Sequence, residues 1–440
     1  MTKAEVSEQP APPAPEPDAR SGLSRRALLG TAAAGAAGLV VGSLAGPVVG
    51  PLLSGQTPAA DRAGTAKTYP FFGPHQAGIT TPVQDHLHFA ALDMMEDTDH
   101  DDLIGLLRDW SAAAERMTRG LEVSEAGATG GDPEAPPDDT GEALDLPASG
   151  LTVTIGFGPG LFEHDGVDRY GLAAHRPPEL DRLPAFVGDA LKAEWSHGDL
   201  CIQVCADDPQ VAVHAIRNLS RIAFGRASIR WSQMGFGRTS KTSTAQITPR
   251  NLMGFKDGTN NILAEDEAAL AEHVWVPKEN APGWLANGTF LVVRKIEMLI
   301  EAWDRVRLAE QETIIGRSKG PGAPLSGGEE FTTPDFEASR DGAPAIDTAA
   351  HVRLAHPSTN GGIRILRRGY NYVDGNSPLG RLDAGLFFLA FQRSPEQFIA
   401  LQRSLGPDLL NEYVRHIGSA MFAIPPGPSA GGFVGETLFG

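Results

Sequence analysis

Past its first 66 residues the chain alternates between two apolar periods. "ITTPVQDHLHFAAL" ends in strict alternation, which predicts a strand. "DTDHDDLIGLLRDWSAAAERMTRG" carries a helical period behind an acidic first turn, which suits the positive end of a helix dipole. "LTVTIGFGPGLF" returns to a strand. "DRLPAFVGDALKAEWSHGDLCIQVCADDPQVAVHAIRNLSRIA" and "ASIRWSQMGFGR" then read as helix, strand, helix and strand. The second half repeats the theme. "NGTFLVVRKIEML" predicts a strand, "IEAWDRVRLAEQETIIGR" a helix, "DAGLFFLAFQ" a strand, "SPEQFIALQRSL" a helix and "SAMFAIPPG" a last strand. This order fits two α+β sandwiches, each an antiparallel sheet with helices on one face. The expected division is residues 67–250 and 251–440.

Composition changes this picture in three places. Residues 122–149 are rich in Gly, Pro, Ala and acids and read as a solvated loop inside the first sandwich. The formal net charge of -18, from 55 acids against 37 bases, argues against a nucleic-acid surface. The two cysteines, Cys201 and Cys205, lie four apart on one predicted strand. Both face the same side and are too far apart to bridge, so they read as buried thiols. Asp97, Asp99 and Asp101 have the early spacing of a calcium loop, but no glycine stands sixth and Arg108 stands twelfth.

The N-terminus reads as an address. Arg25 and Arg26 follow Ser24 and precede an Ala- and Gly-rich apolar run. This is the form of a twin-arginine signal, with cleavage expected near Ala59-Ala60 or slightly later. Residues 1–66 are therefore expected to direct export, to the periplasm, the cell surface or the medium. A single membrane anchor is the alternative, since the run is long enough to span a bilayer.

Two stretches carry candidate chemistry. "AHVRLAHPSTNGGIRILRRGYNYVDG" holds His351 and His356 with four arginines, Arg353, Arg364, Arg367 and Arg368, in an otherwise acidic chain. Imidazole ligates haem iron, and guanidinium groups pair with carboxylates. Either histidine could face the iron. "NLMGFKDGTNN" places Asp257 between Gly254 and Gly258. Alone it reads as a turn, because glycine supplies positive φ and Asp bonds back to local backbone.

These stretches, with "HQAGITTPVQDHLHFAALD", "GDLCIQVCADDP", "TFLVVRKIEM", "IIGRSKGPGAPLSG" and "GLFFLAFQ", occur in the order seen in one family. The chain resembles a dye-decolourising peroxidase, in the twin-arginine-exported branch that includes deferrochelatases. The hallmark G-x-x-D-G stands at Gly254 to Gly258, and the resemblance spans about residues 70–440. It implies two ferredoxin-like domains of the dimeric α+β barrel type, with one haem b per chain seated mainly in the C-terminal domain. It implies His351 as the proximal iron ligand, Asp257 and Arg367 as the distal catalytic pair, and Arg353 and Gly258 at the cofactor. The proximal histidine of such a site donates its other N–H to a carboxylate, for which Glu412 and Asp383 are the candidates.

The implied substrates are hydrogen peroxide and an organic electron donor, and the implied transport partner is the twin-arginine translocase. Asp257 would move the peroxide proton, a task for which it must be ionised, and a neighbouring cation favours the anion. The glycines would let the backbone lie close over the macrocycle. Bulky donors cannot reach a buried cofactor, so oxidisable side chains become of interest: Tyr370 and Tyr372 first, then Trp231, Trp275, Trp284 and Trp303. Other readings are release of iron from haem in an iron-uptake system, passive haem binding, and a haem-free protein of the same fold.

Overall fold

The computed structural model describes residues 67–279 and 282–439. The expected export signal lies outside the described residues. In the first half run β1 (His86–Met94), α1 (His100–Thr118), β2 (Thr152–Phe157), α2 (Pro159–Phe162), β3 (Leu200–Ala206), α3 (Pro209–Ile222) and β4 (Ala227–Arg238). After α4 (Glu267–His273) come β5 (Thr289–Met298), α5 (Ile300–Trp303), α6 (Leu308–Ile315) and a small hairpin, β6 (Ser339–Arg340) with β7 (Ala343–Pro344). Then follow α7 (His351–Ala355), β8 (Leu366–Arg367), β9 (Tyr370–Asn376), β10 (Leu382–Gln392), α8 (Pro395–Ser404) and β11 (Val414–Ile424).

Each half is a ferredoxin-like β-α-β-β-α-β unit. The first four strands lie in the order β2-β3-β1-β4, and the equivalent four of the second half in the order β9-β10-β5-β11. The two units share one sheet. β11 pairs with β2, β4 pairs with β9, and the pairing of β5 with β10 closes the ring. Every ladder between these strands is antiparallel. Closure removes the sheet edges that would otherwise offer unpaired backbone groups.

The alternation in β1 shows how sequence sets the layers. Leu87, Phe89 and Ala91 point into the barrel with Cys201, Cys205, Phe387 and Phe422, while Ala90 and Leu92 pack outward in a second core with α1 and α3. Both cysteines are buried and unbridged. Asp99 explains the early acidic run: it caps α1 through a capping box with Asp102, their side chains accepting reciprocal backbone hydrogen bonds at 3.0 and 3.1 Å. Residues 122–149 form no helix or strand, but the loop is tied down by buried Asp139, which lies 2.8 Å from His214 on α3.

Three elements differ from the sequence expectation. Residues 181–195 form no long helix. Positive φ at Gly188 breaks it, and the segment runs beside β11, with Ala190 N–H and Lys192 N–H donating to the carbonyls of His416 and Ile417. The helix expected over "IEAWDRVRLAEQETIIGR" is two short helices. The Gln311 side chain donates to the carbonyls of Trp303 and Val306, substituting for helical bonds at the break. "YNYVDG" is strand β9, which completes the second ferredoxin-like unit.

Candidate active site

The loop before β5 and the short strand β8 meet at one carboxylate. Asp257 N–H donates to the carbonyl of Pro249 at 2.9 Å and Asn251 N–H to that of Phe255 at 3.1 Å, so the segment folds back on itself. Gly254 and Gly258 have φ of +83° and +87°. A Cβ on Gly258 would lie 2.9 Å from Ser240 Cα. That glycine therefore answers to packing on the 240–241 backbone as well as to the turn. Asn261 clamps the partner strand, its amide bonding both the N–H and the carbonyl of Arg367 at 2.8 Å. Arg367 Nη1 then donates to Asp257 Oδ1 at 2.6 Å, and the Asn251 amide reaches Asp257 Oδ2 at 3.3 Å.

His351 opens the one-turn helix α7. Its Nδ1 lies 2.6 Å from Asp408 Oδ2. Asp408 Oδ1 accepts from Leu410 N–H at 2.8 Å, which caps the 3₁₀ turn Leu409–Glu412 and fixes the carboxylate's orientation. Burial disfavours the imidazolium, but the Asp408 charge and hydrogen bond outweigh it, and the His351 pKa is raised. The carboxylate beside His351 is thus Asp408, rather than Glu412 or Asp383. Glu412 is exposed, and Asp383 lies on β10 near Tyr372.

Asp257, Arg367, His351 and Asp408 all line one cavity, which holds about 260 Å³ open to the centre of a water molecule. Its apolar walls include Met253, Phe255, Ile296, Met298, Leu386 and Leu405. Arg317, Arg364 and His356 supply polar edges. A haem fits this donor set. The Nδ1 bond leaves His351 Nε2 as the nitrogen available to a metal, the walls suit a macrocycle, and the two arginines suit its carboxylates. The Arg294 guanidinium also reaches the cavity, paired with buried Asp189 and with Nε buried and unpartnered among the described residues. Beside it His416 is held neutral, its pKa pushed down to about 3 by burial and the Arg294 charge.

Of the remaining sequence candidates, Gly258 and His356 also line the cavity and the others fall elsewhere. His356 lines the cavity, with Nδ1 bonded to Ser358. Arg353 donates to the carbonyls of Phe336 and Ile346 and takes no place in the lining. Arg368 follows Arg367 in extended chain and so points the opposite way. It is fully buried and holds Gln84 and the Thr81 carbonyl. Tyr370 and Tyr372 point into the barrel, fully buried, with hydroxyls unpartnered among the described residues and pKa values raised by burial. Trp231 lies inside the barrel, Trp284 packs on Phe157 and Phe162, and Trp275 stacks on His75. Trp303 alone of these approaches the cavity wall, through Phe255.

Sequence reasoning missed Asp408, Arg317 and Arg294. Asp408 sits in "GPDLLNEY", where an Asp before two leucines reads as a turn cap, and it is one. Arg317 and Arg294 stand inside quoted stretches but carry no local signal of a site.

Models of the Dyp-type peroxidase N-terminal and C-terminal domains match residues 76–237 and 248–429. The chain belongs to the dye-decolourising peroxidase family. It is 39% identical to the dye-decolorizing peroxidase of Thermobifida fusca, over 96% of this chain and 99% of that protein. It is 36% identical to the deferrochelatase of Escherichia coli O157:H7, over 84% of this chain and 86% of that one. Among solved structures, ferric DtpA from Streptomyces lividans superposes with a TM-score of 0.78 at 38% identity, covering 88% of this chain and all of that one. The two-unit α+β barrel is the architecture of this family, and haem is the cofactor that membership implies.

Proposed function

We propose that this family member is a haem b peroxidase, one haem per chain, that reduces hydrogen peroxide and oxidises dyes, phenols or other organic donors. The observation that carries the reading is a single apolar cavity lined by two charge-assisted pairs, Asp257 with Arg367 and His351 with Asp408. His351 would hold the iron through Nε2, and Asp408 would keep the ring's other proton on Nδ1. Arg317 and Arg364, at the cavity's edge, would meet the propionates. Haem supplies an iron that accepts oxidising equivalents from peroxide and passes them to donors. Asp257 takes the proton from one peroxide oxygen and delivers it to the other, which leaves as water. Arg367 stabilises the charge that builds on the departing oxygen and holds the carboxylate in place. Met253, Phe255 and Leu386 keep bulk water from the site.

An absorption spectrum of the purified protein, before and after peroxide, tests this reading. A Soret band that changes on mixing supports it, and a colourless protein refutes it. The deferrochelatase relatives favour a second activity, release of iron from haem; iron-free porphyrin among the products would establish it. The Ser24-Arg25-Arg26 signature supports export by the twin-arginine translocase. Replacing both arginines by lysine should leave the precursor in the cytoplasm, as fractionation would report; unchanged export would refute the assignment.

A further inference from the structure

The loop that carries Asp257 is built on two glycines at positive φ, Gly254 and Gly258, and glycine gives a chain the most freedom to move. A distant segment holds this loop from behind. The carboxylate of Glu330, 74 residues beyond Lys256, grips it on both sides of the aspartate. Lys256 Nζ donates to Glu330 Oε2, and Thr259 Oγ1 donates to Oε1 at 3.3 Å. The two segments are in close contact. A Cβ on Gly322 would lie 2.8 Å from Lys256 Cδ, and one on Gly254 would lie 2.8 Å from Lys319 Cε. Arg250 ties the same segments through the main chain, donating to the carbonyls of Gly254 and Lys319 at 2.7 Å and of Gly320 at 2.6 Å.

The Glu330 side chain is 12% exposed and that of Lys256 24%, so salt screens this pair less than a surface pair. Burial pushes the Glu330 carboxyl up, but the ion pair with Lys256 and the neighbouring hydroxyls outweigh it, and the pKa is lowered. The main chain of Glu330 has a separate duty. Its carbonyl accepts from Arg317 Nη1 at 2.8 Å. Lys256, Thr259 and Arg317 line the cavity, and Glu330 does not. It therefore acts only through the groups it holds. Its carboxylate holds the loop and its carbonyl holds Arg317, so a side-chain substitution separates the two.

We propose that Glu330 is a positioning residue, which fixes the Asp257 carboxylate in the cavity by clamping Lys256 and Thr259. This deepens the peroxidase reading and rests on it. Arg367 and Asn251 orient the two oxygens of Asp257. Glu330 fixes the backbone from which that side chain projects. Misplacing a reacting group by about 1 Å costs on the order of 10²-fold in rate. A released Lys256 ammonium, next in sequence to Asp257, would also compete with Arg367 for the carboxylate.

The test uses the haem-loaded protein and its Glu330→Gln, Lys256→Met and double variants. Glu330→Gln keeps the shape and removes the charge. Haem content should match the parent, because a carbonyl holds Arg317. In stopped-flow mixing with hydrogen peroxide, each single variant should slow the first spectral change by about 10–100-fold. The double variant should be no slower than the worse single, since both changes open one clamp. Losses that multiply would overturn the assignment, as would parent-like rates in both singles. Fluoride binding to the ferric protein gives a readout without turnover. The bound ion accepts hydrogen bonds from neighbouring donors, here Arg367 and the protonated Asp257 carboxyl. Its affinity should fall about tenfold in Glu330→Gln, with a displaced charge-transfer band, and an unchanged affinity and band would overturn the proposal. Should Glu330→Gln fail to fold, Lys256→Met and Thr259→Val each cut one arm of the clamp and decide by the same two readouts. A parent that binds haem but shows no spectral change with peroxide refutes the peroxidase reading, while the fluoride comparison still reports on Glu330.

Discussion

Replacing Asp408 by asparagine isolates the role of the carboxylate behind His351. The substitution preserves shape and removes the charge. Leu410 N–H needs an acceptor, so the asparagine oxygen should occupy the place of Oδ1. Its NH₂ group then faces His351 Nδ1, 2.6 Å away in the parent. An NH₂ donor there requires Nδ1 to be an acceptor, which moves the neutral ring's proton to Nε2, the nitrogen that would hold iron under the proposed reading. The alternative is to flip the amide and forfeit the cap, at a cost of about 1 kcal/mol. Losing the charge-assisted bond adds roughly 1.5–3 kcal/mol. The lost bond alone corresponds to about 10–150-fold, the order of the ~10–100-fold loss of affinity typical when a ligating histidine loses its hydrogen-bond partner. The assay is haem transfer from holoprotein to an excess of apomyoglobin. Asp408→Asn should lose haem about 10–100-fold faster than the parent, with a displaced Soret band, while Glu412→Gln and Asp383→Asn should not. An unchanged transfer rate and spectrum in Asp408→Asn would refute the tautomer argument.

His351→Ala should abolish the normal Soret band, whereas His356→Ala should keep it, because the His356 ring is occupied with Ser358 and pairs with no carboxylate among the described residues; exchanged results would reverse the ligand assignment. His88 is partly buried on β1, its Nδ1 enclosed and unpartnered among the described residues, and desolvation lowers its pKa to about 4. Its folded pKa lies below the unfolded value near 6.5, so the unfolded chain binds a proton that the folded one refuses. Stability is therefore full above about pH 6.5 and falls by up to about 1.4 kcal/mol per unit as pH drops toward 4. Urea unfolding across this range should show a shallower acid loss in His88→Gln, and identical slopes would contradict the burial argument.

How much of this was legible in the sequence depended on how local each determinant is. The strands and the long helices announce themselves by period, and α1 by its Asp99 cap. The break between α5 and α6 is invisible because Gln311, eight residues beyond Trp303, makes it, and β9 is obscured by Asn371, Asp374, Gly375 and Asn376, all poor strand formers. Closure of the two units into one ring depends on pairings such as Phe236 with Asn371, which no local pattern encodes. Asp257, Arg367 and His351 were readable because motif resemblance singles them out, and the structure places all three on one cavity. Asp408 was not, since its two oxygens serve a turn and a histidine 57 residues away at once. Arg367 and Arg368 look equivalent as a pair, yet extended geometry sends one to the cavity and the other to Gln84.

The central claim is that Asp257 and Arg367 form the peroxide-cleaving pair in the cavity where His351 would hold haem. Stopped-flow mixing of the ferric protein with hydrogen peroxide measures it directly. Asp257→Ala should retain haem, because the aspartate does not ligate iron, and should slow the first spectral change by roughly 10²–10⁴-fold if it is the proton carrier. If charge stabilisation dominates instead, Arg367→Leu should be the slower of the two, by roughly 10²–10³-fold. Parent-like rates in both variants, with haem fully bound, would contradict the account and leave Asp257 a turn residue that happens to face a cavity.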